Sequence, residues 1–280
     1  MKLLNRHKAL LNVIRGLEEK GLKSRLAIVK TLFLLKKEYR ADEHIKFYSF
    51  YPYKYGPFSQ LCYDDLRKLK DAKLIDEEET SLTEVGKHIS ADSKEWFEAQ
   101  LEDVTTRFKN EKEMTAYAYK RYPEFTVKSV LTNNKSIPKM GFCTIGYEGR
   151  DIDTFLNVLI QNGVDRVVDV RKNPFSMNFC YIKSKLQQFL KAVDIEYTHI
   201  PELGVESEER KHIHSKEEYE LLFNKYQQAL PQHESQLRQI VGLGKKHRIA
   251  LLCMEHDAVS CHRREIAKYL REQGYEVMDL

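Results

Sequence analysis

Residues 251–270, LLCMEHDAVSCHRREIAKYL, place two cysteines, two histidines, acidic residues and paired arginines directly after an apolar run. Three chemistries suit those types. Cys253, His256, Cys261 and His262 are all zinc-ligand types. They lack a CxxC pair, however, and adjacent Cys261 and His262 are not expected to face one ion from a helix start. No metal and no other cofactor is therefore expected. Thiol chemistry would use Cys261, since a helix N-terminus flanked by His262 and Arg263 lowers a thiol's pKa; Cys253 reads as a small core residue. Acid–base chemistry would use Glu255, Asp169 or Glu148, with His262 beside them. Arg171, Arg263 and Arg264 offer planar, bidentate donors to a phosphate or carboxylate. The helix opening at residues 260–263 adds N–H groups and the positive end of its dipole.

These residues depend on elements to position them. From Met140 onward, GFCTIGY, VDRVVDVR, IEYTHI, RIALLCME and YEVMDL read as strands. DIDTFLNVLIQNG, KSKLQQFLKAV, KEEYELLFNKYQQAL, ESQLRQIVGLG and CHRREIAKYLREQG read as helices. Such alternation implies right-handed crossovers and an α/β fold, a mostly parallel sheet flanked by helices. In an open α/β sheet, ligands bind beyond the carboxyl ends of the strands. Those ends deliver Tyr147 and Glu148; Asp169, Arg171 and Ser176; His199 and Glu202; and Cys253 and Glu255, facing Cys261, His262 and Arg263. Four strand ends thus load one rim. Tyr147 reads as a stacking or hydrogen-bonding group for a substrate, Ser176 as a phosphate contact, and Arg171 and Arg263 as an anion clamp. The plain alternatives are that Tyr147 covers a strand end, Ser176 satisfies the turn after Pro174, and Asp169 pairs with Arg171.

TIGYEGR, DVRKNPFS, PELG and LLCMEHDAVSCHR, in that order, resemble the bacterial domain-of-unknown-function family 488 over residues 142 to about 273. Family members commonly carry Leu-Gly-Gly in the third motif, where this chain has Leu203, Gly204 and Val205. The family's placement near DNA-modifying and defence systems implies a nucleic-acid or nucleotide connection.

The first half reads differently. RLAIVKTLFLLKKEY, residues 25–39, has the spacing of an amphipathic helix with Ile28, Leu32, Leu35 and Tyr39 near one face. FYSFYPYKYGPFSQ follows as an extended or turning segment, because its prolines break a helix. Another helix is capped at Ser59, and a short turn or wing leads to a further helix capped at Thr83. That order resembles a winged-helix domain, and Tyr55, Gly56 and Pro57 resemble the YGP motif of a phage-associated antitoxin-type family, over residues 22 to 92. The resemblance implies DNA, RNA or protein recognition, with Lys54, Arg67, Lys68, Lys70 and Lys73 as phosphate contacts diluted by acidic neighbours. Residues 93–131 read as helical. The expected division is a smaller, mainly helical winged-helix-like domain at 1–131, a linker at 132–139 and the α/β domain at 140–280. EERKHIHSKEEYE reads as a charged loop whose His212 and His214 reach toward the pocket mouth.

Composition bounds the function. With 42% hydrophobic and 31% charged residues over 280, the chain can bury a core. A net charge of +4 does not by itself indicate nucleic acid. No stretch reaches a membrane span, the start lacks the apolar core of a signal peptide, and five scattered cysteines make no disulfide framework. A cytoplasmic protein is expected, and its oligomeric state is not legible. The expected activity is a hydrolase or lyase acting on nucleic acid or a nucleotide, in DNA modification, repair or defence. The alternative is a DNA-binding regulator or antitoxin-like protein whose α/β domain senses an anionic, phosphate-containing ligand.

Overall fold

The computed structural model describes residues 2–78, 80–90, 95–132, 140–210 and 215–280. It divides into two compact units, Met1–Lys135 and Ser136–Leu280. The segment read as a linker, apart from Thr132, lies outside the described residues, as do His212 and His214. Among the described residues, no helix is long and apolar enough to cross a membrane.

The first unit is mainly helical: α1 (Asn5–Glu19), α2 (Arg25–Tyr39), a short α3 (Ala41–His44), a hairpin of β1 (Tyr51–Tyr53) and β2 (Gly56–Phe58), then α4 (Gln60–Asp71), α5 (Glu84–Ser90), α6 (Glu95–Thr106) and α7 (Glu111–Arg121). Side-chain caps start the helices where the sequence places them: Ser24 Oγ accepts from Ala27 N, Ser59 Oγ from Cys62 N and Thr83 Oγ1 from Gly86 N. At the expected wing, a single antiparallel bridge joins Ile75 to Leu82. The basic residues of α4 are partly spent within the helix, with Arg67 paired to Asp64 and Lys68 to Asp65.

Helix α2 departs from the amphipathic expectation. Every residue from Ala27 to Leu35 is buried, so it is the central helix of this unit rather than a surface one. Its burial carries Lys30 inside, where Nζ donates to the carbonyls of Tyr55 at 2.5 Å and Pro57 at 3.3 Å. The YGP turn therefore serves as a socket for a buried ammonium. Gly56 sits at φ +85°, where a Cβ would lie 2.8 Å from the Tyr119 ring and 3.0 Å from Lys30 Nζ.

The second unit holds β3 (Gly141–Gly146), α8 (Ile152–Gln161), β4 (Arg166–Asp169), α9 (Lys183–Ala192), β5 (Glu196–His199), α10 (Ser207–Arg210), α11 (Lys216–Ala229), α12 (Glu234–Gly244), β6 (Arg248–Cys253), α13 (Arg263–Glu272) and β7 (Val277–Asp279). Its five strands form one sheet in the order β5-β4-β6-β3-β7 with every pairing parallel. This is the α/β sheet with flanking helices that the sequence rhythm implies. Right-handed crossovers put α8 and α9 on one face and α11, α12 and α13 on the other. Val168, Val170, Ile249 and Leu251 pack with Leu237, Ile240, Ile266 and Leu270 on the second face. The connections after β3 and β6, which are neighbours, leave toward opposite faces, so the carboxyl ends of this strand pair mark the switch point of the sheet.

Burial lowers the pKa of Lys30 to about 7. An exposed lysine of the unfolded chain keeps its proton to a pH of about 10.4. Between those values the unfolded chain holds a proton that the folded one has lost, so stability rises with pH and is flat below about 7. Urea unfolding at about pH 7 and about pH 9 should show the wild type gaining on Lys30→Met, by at most about 1.4 kcal/mol per pH unit. Parallel pH dependence in the two proteins would contradict this.

Candidate functional site

The residues read as one rim separate into two groups, because successive side chains of a strand point to opposite faces. Asp169 and Arg171 turn toward α8 and α9. Asp169 is fully buried and accepts from Arg171 N at 3.1 Å, Arg171 Nε at 2.9 Å, Arg171 Nη2 at 2.6 Å and the Tyr197 hydroxyl at 2.7 Å. Arg171 also donates Nη1 to the Tyr181 carbonyl at 3.1 Å, and its guanidinium lies 5.2 Å from the centre of the Tyr147 ring. Burial opposes the charge on Arg171, yet Asp169 outweighs it and raises the pKa above the ordinary value. Burial and Asp169 together push the Tyr197 phenol up. Tyr147 is buried and stacked on Tyr181 at 4.3 Å, and Phe155 of α8 meets Tyr181 edge-on. Ser176 Oγ accepts from Asn178 N at 3.1 Å within its own turn. For Asp169, Arg171, Tyr147 and Ser176, the geometry matches the plain structural alternatives.

Arg263 also points inward. It is 1% exposed and donates Nε to Thr144 Oγ1 at 3.3 Å, Nη1 to the Glu255 carbonyl at 2.6 Å and Nη2 to the His256 carbonyl at 3.0 Å. It is a strut between β3 and the loop after β6. The same loop crosses β3 so closely that a Cβ on Gly146 would lie 1.8 Å from the Glu255 carbonyl oxygen. The helix opening is occupied too: the amides of Arg264 and Glu265 donate to the carbonyls of Cys261 and His262, each at 3.0 Å. Arg264 pairs with Glu220 and Glu265.

The second group faces α11 and α13. His262 is 0% exposed, and its Nε2 lies 3.2 Å from the Val170 carbonyl. A carbonyl only accepts, so Nε2 carries the proton and Nδ1 is the acceptor. That Nδ1 is 3.8 Å from Cys253 Sγ and 3.8 Å from Cys261 Sγ. Cys253 Sγ lies 3.2 Å from Glu255 Oε2. The two sulfurs and the imidazole nitrogen all fall within 4.8 Å of one another, the one such set of metal-binding types among the described residues. The objection that adjacent Cys261 and His262 cannot face one point fails. Cys261 is still extended at φ −137° while His262 has entered the helical region at φ −58°, and both sulfur and ring turn inward. His256, the other zinc-type residue, stays outside the set: it is exposed, with Nε2 3.5 Å from Arg150 Nη2. Glu148 is exposed and accepts from His256 N at 3.2 Å, above the cluster's loop. Burial first, then Cys253 and Glu255, push the Cys261 thiol well above its ordinary pKa, so an activated free thiolate is not what this site holds.

Residues 151–270 match the family model described as domain of unknown function DUF488. The second unit carries a DUF488 domain. No curated protein and no solved structure matches the chain. The matched span of the DUF488 domain begins just after TIGYEGR, yet the strand within that motif, β3, sits between β6 and β7 and frames the site. In the third motif, Gly204 makes the close approach, since a Cβ there would lie 2.1 Å from Lys172 N. Val205 is buried, so the departure from Leu-Gly-Gly falls where a side chain fits.

The sequence reading groups Cys253 with His256, Cys261 and His262 as zinc-ligand types and also places it in the core; the structure buries it and brings it to Cys261 and His262 but not to His256. The sequence reading passes over NPFSMNF, where Phe175, Met177 and Phe179 are all exposed, Met177 by 95%. No acidic residue occurs between Asp169 and Asp194, while Arg171, Lys172, Lys183, Lys185 and Lys191 do. Alternating apolar residues in a proline-bearing loop were the available signal.

If Asp169–Arg171 is a strut, Arg171→Met should strand a buried carboxylate and cost about 3–5 kcal/mol in urea unfolding, and adding Asp169→Asn should recover much of that loss. Unchanged stability with lost anion binding would identify a clamp instead.

Proposed function

We propose that the DUF488 domain is an enzyme of the hydrolase or lyase type acting on nucleic acid or a nucleotide. The observation that carries this reading is the convergence of Glu255, His262, Cys253 and Cys261 at the carboxyl end of β6, beside the switch point of the sheet. A half-buried carboxylate and an imidazole anchored by a carbonyl, both of which approach Cys253 Sγ, are groups suited to moving a proton.

The substrate class is supported by the loop after β4. Exposed Phe175 and Phe179 offer faces on which bases stack, and the acid-free stretch from 170 to 193 supplies cations for a phosphate backbone. Lys185 Nζ lies 5.3 Å from the centre of the Phe179 ring, so charge and aromatic surface are already side by side. A sensor of an anionic ligand would rely on Arg171 and Arg263, both of which donate to internal acceptors. The geometry therefore favours the enzyme over the regulator. Work in DNA modification, repair or defence fits such an activity, with the helical unit serving recognition.

The test uses the full chain against single- and double-stranded DNA, RNA and nucleotides. Glu255→Gln should abolish turnover and leave substrate binding largely intact. Phe175→Ala with Phe179→Ala should weaken single-strand binding by about 1–3 kcal/mol per stacked base lost. Absence of turnover on every substrate, together with DNA affinity that changes when a small phosphate ligand is added, would favour the regulator.

A further inference from the structure

We propose that Cys253, Cys261 and His262 bind one zinc ion, with Glu255 beside its fourth coordination position. The distances support it. A tetrahedral zinc with Zn–S near 2.3 Å and Zn–N near 2.05 Å holds sulfur and nitrogen about 3.6 Å apart. Both sulfur–Nδ1 separations are 3.8 Å. Little movement closes these three donors around one ion. Glu255 Oε2, 3.2 Å from Cys253 Sγ, stands outside that mutually close set and is not one of the ligands.

The second observation is the orientation of the imidazole. Metal-ligating histidines commonly donate their other ring N–H to a carbonyl or carboxylate, which fixes the tautomer and raises the basicity of the ligating nitrogen. His262 does this with the Val170 carbonyl, and the nitrogen so prepared faces two sulfurs. Charge balance agrees with the burial. Two thiolates neutralise Zn2+, so the ion and its three ligands enclose no net charge, and all three ligand residues are buried. Soft thiolates with one imidazole favour zinc over magnesium or calcium, which take oxygen ligands.

Three protein ligands leave zinc one open position, where a bound water becomes acidic near neutral pH. Glu255 is half-buried and lies on the side of Cys253, placed to take the proton that such a water loses. The metal site stands on its own geometry, and only this use of it rests on the enzymatic reading.

The test starts with the full chain, purified under reducing conditions, stripped with a chelator and titrated with Co2+. One equivalent should bind with a thiolate-to-cobalt charge-transfer band and the intense visible bands of a tetrahedral site, and Zn2+ should displace it. Cys253→Ser and Cys261→Ser should each weaken the charge-transfer band, which only the double variant should lose, and each should bind Zn2+ at least about tenfold more weakly, while Cys180→Ser should behave as wild type. Should the two variants fail to fold, X-ray absorption on the wild-type zinc protein should report two sulfurs and one imidazole. Absence of the charge-transfer band in the wild type, an all-oxygen coordination shell, or a Cys253–Cys261 disulfide in place of bound metal would overturn the proposal. Turnover by the metal-free protein would sink the catalytic use of the zinc alone, and metal binding without turnover on any nucleic acid or nucleotide would sink the enzymatic reading alone.

Discussion

A guanidinium sealed from water must find an acceptor for its donors, and Arg263 finds them in Thr144 and in the carbonyls of Glu255 and His256. That requirement organises the carboxyl end of the second unit's sheet. Thr144 lies in β3, the two carbonyls lie in the loop leaving β6, and Arg263 itself opens α13. One side chain thus ties a central strand, the loop crossing it and the helix that follows. The loop can lie against β3 because Gly146 has no side chain to hold it off. With loop and helix fixed, Cys261 and His262 are presented to Cys253 and Glu255. The cluster depends on an arginine that has no part in its chemistry.

The alternation of strands and helices was legible from apolar runs and glycine stops, and it recovers the parallel sheet. The caps at Ser59 and Thr83 were legible because a short oxygen before an amphipathic run has one common use. What could not be read is whether a charged residue at a strand end faces water or the interior. Arg171 and Arg263 have the composition of an anion clamp, and both are spent on internal acceptors. Burial is a property of the assembled fold, and an arginine looks the same in sequence whether it is a clamp or a strut. Lys30 makes the same point in the first unit. The spacing of Ile28, Leu32, Leu35 and Tyr39 predicts one apolar face, but every residue from Ala27 to Leu35 is buried.

The aromatic residues carry a related lesson. By its place at a strand end, Tyr147 reads as a group that stacks on or hydrogen-bonds a substrate, or as a cover for the strand end. The structure spends its ring on Tyr181 and on the guanidinium of Arg171. Exposed rings lie in the loop after β4, where only the alternation of Phe175, Met177 and Phe179 signals them. Phe175 and Phe179 flank Met177, which is almost wholly in water. Large apolar groups held in solvent on one loop carry a cost that a purely structural loop has no reason to bear. They weigh toward a surface that meets something flat and apolar.

The separation of one rim into two groups follows from strand parity. On β4 and the two residues that follow it, Val168 and Val170 face the side of α12 and α13, so Asp169 and Arg171 face the other. On β6, Ile249 and Leu251 belong to the first of these sides, and Cys253 continues the same alternation. Its sulfur must therefore point toward the start of α13, where Cys261 and His262 arrive. The alternation is visible in RIALLC, but it becomes informative only once the side occupied by α13 is known. The strand order supplies that: β6 and β7 flank β3, and a right-handed crossover between them carries α13 to the face opposite α8. Parity then makes the pairing of Cys253 with Cys261 and His262 a consequence of topology, and it excludes Asp169 and Arg171 from the same cluster by the same rule.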